Sequence, residues 1–316
     1  VVKYKYLDIR LVDFMKALRK YAEKPIIGPI IKKAMRYFVN REVDSITSHF
    51  SQFLTPRLAY TPELQQSVYK IRHQVYCDEL SFLDKHKNGL ETDHFDDHSI
   101  HCAIEHKPTG DFAGTVRLVY SPNESKKLPI EEFCINSISK DEVHPSDFRR
   151  DQIFEISRLA IPAHFRRRNT DKFKGSATGV INQQSYSEDE LRCFPFIAIG
   201  LYLSGAALSQ HEGMEHCFVM MEPRLARSLK FVGIPFKQIG PAVEYHGKRA
   251  PYYITNKILM NSLSSGFKKL LFKIEDELDP QFVAARKYKT EFPNSQPFTP
   301  EKQSFVSLSG ENLFCV

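Results

Sequence analysis

Residues 153–161 read Ile-Phe-Glu-Ile-Ser-Arg-Leu-Ala-Ile, an apolar run broken by two charges, Glu155 and Arg158. Its length and branched aliphatic content, between polar stretches, predict a buried strand. The same anomaly recurs on both neighbouring candidate elements. In Phe112–Tyr120, FAGTVRLVY, Arg117 stands between Val116 and Leu118. In the helix-like stretch starting at Thr61, Leu64, Val68, Arg72 and Tyr76 recur every four residues, which puts Arg72 in an apolar stripe. Between them lies Glu91-Thr92-Asp93-His94-Phe95-Asp96-Asp97. An ion buried without a partner is costly, so these groups are expected to neutralise one another. Arg72, Arg117 and Arg158 face four carboxylates, Glu91, Asp93, Asp96 and Glu155. Charges converging from separate elements point to a polar site; a purely structural ion-pair cluster is the bland alternative.

Outward from that core, strands alternate with helices from residue 57 onward, which predicts a mixed α/β (α+β) domain over 57–275. Thr61-Pro62-Glu63 is a helix start, with Thr as cap and Pro at the first position, and the helix is expected to reach about Leu80. Strands are expected at ETDHF (91–95), HSIHCAIEH, FAGTVRLVY, IFEISRLAI and HCFVMM, with a final pair around PFKQIG and APYYITNK. Apolar and amphipathic helices fall at FPFIAIGLYLSGAALSQHEG and EPRLARSLKFVG. Residues 276–316, with Pro280, Pro293, Pro297 and Pro300, read as a loosely ordered tail.

The 316 residues are 42% hydrophobic and 12% aromatic, which excludes wholesale disorder, collagen and small disulfide scaffolds. No stretch reaches the roughly 18 uninterrupted apolar residues of a spanning helix. No signal-peptide plan opens the sequence, and six scattered cysteines lack a C-x-x-C pair, so free thiols in the cytoplasm are expected. The net charge of +6 is local: residues 1–56 hold eleven Lys/Arg against five Asp/Glu, while the rest carries 33 of each sign. That basic arm, two amphipathic helical segments broken at Pro25, Gly28 and Pro29, suits an acidic protein or a peripheral membrane contact through residues 1–40. Nothing comparable elsewhere suggests nucleic-acid binding.

The spaced motifs Arg72/Tyr76, Glu91/Asp93/Asp96, Gly114/Arg117/Leu118 and Glu155/Ser157/Arg158 resemble those of the acyl-homoserine-lactone (autoinducer) synthases. With LPIEEFC, EISRLAI, MEPRLARSLKFVGI and YHGKRAPYYI, the chain looks closer to the related N-acyl amino acid synthases and the acyltransferases of PEP-CTERM/exosortase systems. The resemblance covers about residues 57–257. It implies a GNAT-type acyltransferase fold, a mixed, splayed central sheet flanked by helices. It also implies a donor thioester on the phosphopantetheine arm of acyl carrier protein, entering where IFEISRLAI and HCFVMM diverge, and no permanently bound cofactor. The usual pyrophosphate loop of coenzyme A-dependent members is missing; the equivalent stretch reads RRRNTDKFKGSATG. Arg166, Arg167, Arg168 and Lys174 there are candidates for docking an acidic carrier protein.

An amine must be neutral to attack a thioester, so a carboxylate should take its proton. Glu91 is the first candidate base and Glu155 the second. Backbone N–H groups near Arg158, Leu159 and Ala160 are candidates for the oxyanion. Arg72 and Arg117 would orient carboxylates or hold the carboxylate of an amino-acid acceptor. Tyr76, Ser157, Tyr245, His246 and Arg249 complete the candidate substrate-binding set, and Phe194, Phe196, Ile197, Leu201 and Leu203 are candidates for an acyl tunnel. The expected activity is fatty acyl transfer to the amine of an amino acid. Lactone synthesis from S-adenosylmethionine is the alternative enzyme, and a non-catalytic acyl- or carrier-binding module the alternative of another class. A metal site at His94, Asp96, Asp97, His98 and His101 is disfavoured, because His98 and His101 fall on opposite faces of a strand. A Cys77 nucleophile lacks any recognisable base.

Overall fold

The computed structural model describes residues 50–166, 197–245 and 247–293. Strand β1 is Leu54–Leu58, β2 Ser99–His106, β3 Phe112–Tyr120, β4 Ile153–Ala160 and β5 His216–Met221. Short β6 (Lys237–Gln238) and β7 (Val243–Glu244) precede β8 (Lys248–Thr255). The sheet runs β1-β2-β3-β4-β5-β8-β6, with β7 paired to β8. Every pair is antiparallel except β4–β5.

Alternation along β2, β3 and β4 sorts their side chains onto two chemically opposite faces. Cys102, Ile104, Val116, Leu118, Phe154 and Ile156 form one apolar face, buried in the main core with residues of α4 (Ile197–His211) and α7 (Ser265–Glu291). Fully burying each large apolar side chain there contributes about 1.5–3 kcal/mol. The other face carries His101, Arg117, Glu155 and Ser157, and α1 (Pro62–His73) packs on that side through Val68 and Tyr69 with Ala103. Both faces are covered, so the charged residues of the second face are enclosed.

The expected start of α1 is present: Thr61 Oγ1 accepts from the Leu64 N–H at 3.4 Å, and Pro62 occupies the first turn. The helix does not continue as α to Leu80. It widens into a π-helical segment, Gln74–Glu79, which carries Tyr76. The expected strand at ETDHF is also absent. Residues 91–93 are irregular and His94–His98 form a 3₁₀ turn. Asp93 caps that turn by accepting from the Phe95 N–H, while its own N–H donates to Asp96. An Asp with a second Asp three residues on is a turn-starting pair, and here it outweighs strand propensity.

The reading of 276–316 as a loose tail is corrected for its first part. Helix α7 runs to Glu291, with Pro280 inside it, and buries Leu270, Leu271, Ile274, Leu278 and Phe282. Their three- and four-residue spacing secures the helix by packing despite the one N–H that proline lacks. Residues 294–316, and residues 1–49 of the basic arm, lie outside the described residues.

Between the strands sit α2 (Pro129–Phe133), the turn α3 (Ala163–Arg166) and α5 (Pro223–Phe231), and α6 (Asn256–Ser262) joins β8 to α7. No helix among the described residues is long and apolar enough to cross a membrane.

Candidate active site

Two local irregularities of β4 create the site. Parallel pairing with β5 holds only at Ile153↔His216, Phe154↔Cys217 and Glu155↔Phe218, after which the strands part. Against β3, Arg117 pairs with Ser157 and Thr115 with Ala160, so Arg158 and Leu159 together oppose Val116. This is a β-bulge, and Arg158 adopts a left-handed φ of 48° within it. In a regular strand, residues 155 and 158 point to opposite faces; the bulge turns Arg158 back towards the charged side.

Three guanidiniums and three carboxylates interlock there. Arg72 donates from Nε to Glu91 at 2.5 Å, and from Nη1 and Nη2 to the two oxygens of Asp96 at 2.7 and 3.1 Å. Arg117 Nη1 donates to Asp93 at 2.5 Å and to Asp96 at 2.8 Å, and its Nε to Ser157 Oγ at 3.0 Å. Arg158 Nε donates to Glu91 at 3.1 Å and its Nη2 to Asp93 at 2.8 Å. Arg72 and Arg117 are 0% and 1% exposed, so neither reaches an incoming molecule. Burial alone would raise the three carboxyls, but the arginines outweigh it and hold Glu91 and Asp93 below, and Asp96 well below, the ordinary range.

Glu155 is not part of this network, contrary to the expected set of four carboxylates. It is 2% exposed, and among the described residues its Oε2 accepts the Ile130 N–H alone, at 2.6 Å, from the start of α2. Burial pushes it up to about 8, against the smaller opposing pulls of that N–H and of Arg117. The two candidate bases thus sit in opposite surroundings: two arginines hold Glu91 ionised, while burial raises Glu155.

Glu155 lines a cleft of about 170 Å³ where β4 and β5 separate. Ser157, Arg158 and Leu159 of β4 and Tyr76, Tyr245 and Arg249 also line it, which unites most of the expected substrate-binding residues. Tyr76 donates to the Leu159 carbonyl at 2.8 Å and lies under the Arg158 guanidinium, 5.8 Å from its ring centre. Tyr245 stacks on Phe133 at 5.0 Å, and Arg249 donates from Nε to the Tyr245 carbonyl and sits 6.0 Å over Phe82. Sequence reasoning missed Phe82, Phe133, Tyr202, Met221 and Leu225 as cleft residues, although Phe133, Met221 and Leu225 fall inside LPIEEFC and MEPRL.

Several expectations fall elsewhere. Ala160 is fully buried and packs with Ile71 and Val75 rather than facing the cleft. Ile197 and Leu201 belong to the main core, and only Leu203 of the described tunnel candidates borders a cavity, the second one behind β4. Arg166 pairs with Glu79, whose carboxylate also accepts the Ala163 N–H at 3.0 Å. Arg167, Arg168, Lys174, Phe194, Phe196 and His246 lie outside the described residues. The His/Asp cluster is dispersed: His94 meets Glu132, His98 Nε2 donates to the Lys127 carbonyl, and Asp96 is committed to arginines. Among the described residues no three His, Cys, Asp or Glu side chains are placed to hold a metal. Cys77 is buried, and burial pushes its thiol up, away from the reactive thiolate.

Residues 71–174 match the family model described as the acetyltransferase (GNAT) domain. The match spans about a third of the chain and reads residues 71–174 as a GNAT acetyltransferase domain. The splayed β4–β5 pair and the helix-flanked mixed sheet are the architecture expected of it, and the protein is accordingly an enzyme of the acyltransferase class. Solved structures similar to this chain include the AHL synthase LasI, with a TM-score of 0.45 and 14% identity over 66% of this chain and 96% of LasI. FeeM, an N-acyl amino acid synthase from uncultured soil microbes, has a TM-score of 0.43 and 12% identity over 66% and 94%. MesI, a CoA-dependent acyl-homoserine lactone synthase, has a TM-score of 0.43 and 14% identity over 70% and 94%. No curated protein matches the sequence significantly.

Proposed function

We propose that the protein transfers a fatty acyl group from a phosphopantetheine thioester on acyl carrier protein to the amine of an amino acid. The observation that carries this is Glu155, a solitary buried carboxyl at the head of the cleft between β4 and β5. With its proton binding near pH 8, it is matched to accept a proton from an amine at ambient pH. The nitrogen attacks the thioester carbonyl, Glu155 takes the proton, and the tetrahedral intermediate collapses with loss of the thiol. The N–C bond forms as the C–S bond breaks. Backbone N–H groups of the bulge at Arg158–Leu159, released from pairing with β3, are the candidate oxyanion donors. Because Arg72 and Arg117 are enclosed and committed, the acceptor's carboxylate is assigned to the cleft-lining guanidiniums of Arg158 and Arg249. The apolar cleft walls, with Phe82, Val219, Met221 and Leu225, suit an acyl chain. A carrier protein is favoured as donor because the sequence lacks a pyrophosphate loop and holds its surplus positive charge in one arm.

The test is mass spectrometry of mixtures containing acyl carrier protein thioesters, or the coenzyme A equivalents, and a panel of amino acids. An N-acyl amino acid is expected from the wild type and not from Glu155→Gln; absence of any N-acylated product from the wild type overturns the proposal. The convergence of Arg72, Glu91, Asp93, Asp96, Arg117 and Arg158, from motifs that resemble those of the autoinducer synthases, also favours a second reading with S-adenosylmethionine as acceptor. Including it in the panel separates the two by product, an N-acyl amino acid or an N-acyl lactone.

A further inference from the structure

A second cavity lies behind the cleft, and the two share a wall. It is smaller, about 20 Å³, and is bordered by Phe154, Leu203, Ala206, Phe236, Ile254 and Leu259 among others. Its one strongly polar neighbour is Asn256, whose side chain is already satisfied by Ser209 and the Met214 carbonyl. A cavity lined this way excludes water in favour of hydrocarbon, even where one water would fit by size.

Among the described residues, only Ile156 of β4 and Tyr202 of α4 border both cavities. Their roles in the wall differ. Ile156 is pinned against bare helix backbone, since a Cβ on Gly205 would fall 2.6 Å from Ile156 Cδ1. Tyr202 is the removable part: its ring meets Phe236 edge-on at 6.4 Å, and Phe236 itself lines the rear cavity. Tyr202 is also nearly buried, so its ring occupies interior space that a chain would otherwise take.

We infer that Tyr202 is the chain-length stop of the acyl site. An acyl chain threaded from Glu155 along the apolar wall ends against its ring, and the rear cavity is the space a longer chain enters when the ring is removed. This deepens the acyltransferase reading and rests on it. It assigns the wild-type enzyme to acyl chains short enough to end in front of α4.

The experiment offers the full-length enzyme an equimolar series of even-numbered acyl thioesters with one amine, and reads the product distribution. For Tyr202→Ala the ratio of longer to shorter products is expected to rise about tenfold or more, since one methylene in an apolar pocket is worth about 10–200-fold in kcat/KM. Tyr202→Phe should leave the distribution unchanged, because the stop is steric. Refilling the rear cavity with Ala206→Leu in the Tyr202→Ala background should return the distribution towards wild type. If Tyr202→Ala does not fold, as judged by circular dichroism, Tyr202→Leu is read in its place. An unchanged distribution in the folded variant, or a shift in Tyr202→Phe equal to that in Tyr202→Ala, overturns the assignment. Either result presupposes wild-type product, so it is distinct from failure of the acyltransfer proposal, which is the absence of product altogether.

Discussion

Acidic side chains behave in opposite ways on one side of the same sheet. Glu91, Asp93 and Asp96 are gripped by Arg72, Arg117 and Arg158 and stay ionised; Glu155 meets one backbone N–H and holds its proton to about pH 8. Burial is common to all four, so the counter-charge decides. The first group fixes the shape of the site, and Glu155 is left as the carboxyl with freedom to exchange a proton.

The largest effect should come from breaking the gripped set. Arg72→Ala leaves Glu91 and Asp96 without their principal counter-ion and is expected to lower stability by about 3–5 kcal/mol, measured by urea unfolding. A loss below about 1 kcal/mol would show that the network is not holding the site. Next is Glu155→Gln, which keeps an acceptor for the Ile130 N–H. It should reduce kcat by about 10²–10⁴-fold without lowering the unfolding midpoint, because Gln has no proton to lose in the unfolded state. An equal loss of stability would place Glu155 with the structural carboxylates after all.

The pH dependence sharpens the contrast because the two groups carry opposite signs. Glu155 is raised in the folded state, so its contribution to stability is complete below the unfolded pKa of about 4.3 and is lost as pH rises through about 8. Glu91, Asp93 and Asp96 are lowered, so theirs is present above the ordinary carboxylate range and is lost on acidification. The stability difference between wild type and Glu155→Gln should therefore fall between pH 5 and 9, and wild-type kcat/KM should rise through an inflection near 8 that the variant lacks. Smallest of all is Thr61→Ala. Loss of that cap should cost about 1 kcal/mol of stability, because the helix it starts delivers Arg72, without displacing the kcat inflection.

The sequence made the convergence legible because Arg72, Arg117 and Glu155 stand where apolar periodicity calls for hydrocarbon. The helix cap at Thr61 was equally accessible, whereas the splay of β4 from β5 and the placement of Arg249 near the cleft were implied by the family resemblance. What was hidden was local geometry without a residue signature. The bulge uses an arginine, not a glycine, at positive φ, so nothing announced that Glu155 and Arg158 would part company in their partners. The different partners of Glu91 and Glu155 were hidden for the same reason, since proximity in a charge inventory does not reveal which carboxyl each guanidinium takes. Helix α7 was missed because Pro280 was given more weight than the apolar spacing of Leu270, Ile274, Leu278 and Phe282.

That last helix has a consequence for biosynthesis. Its Glu277 accepts from Thr55 and its Gln281 bonds the Leu58 N–H and the Pro56 carbonyl, fastening the outermost strand across more than 220 residues of sequence. At about 5–20 residues per second, a ribosome needs roughly 10–45 s to make the intervening chain. During that interval the nascent β1 can pair with β2 but lacks the clasp of α7, and shielding its outer edge from neighbouring chains falls to the translation machinery and its chaperones.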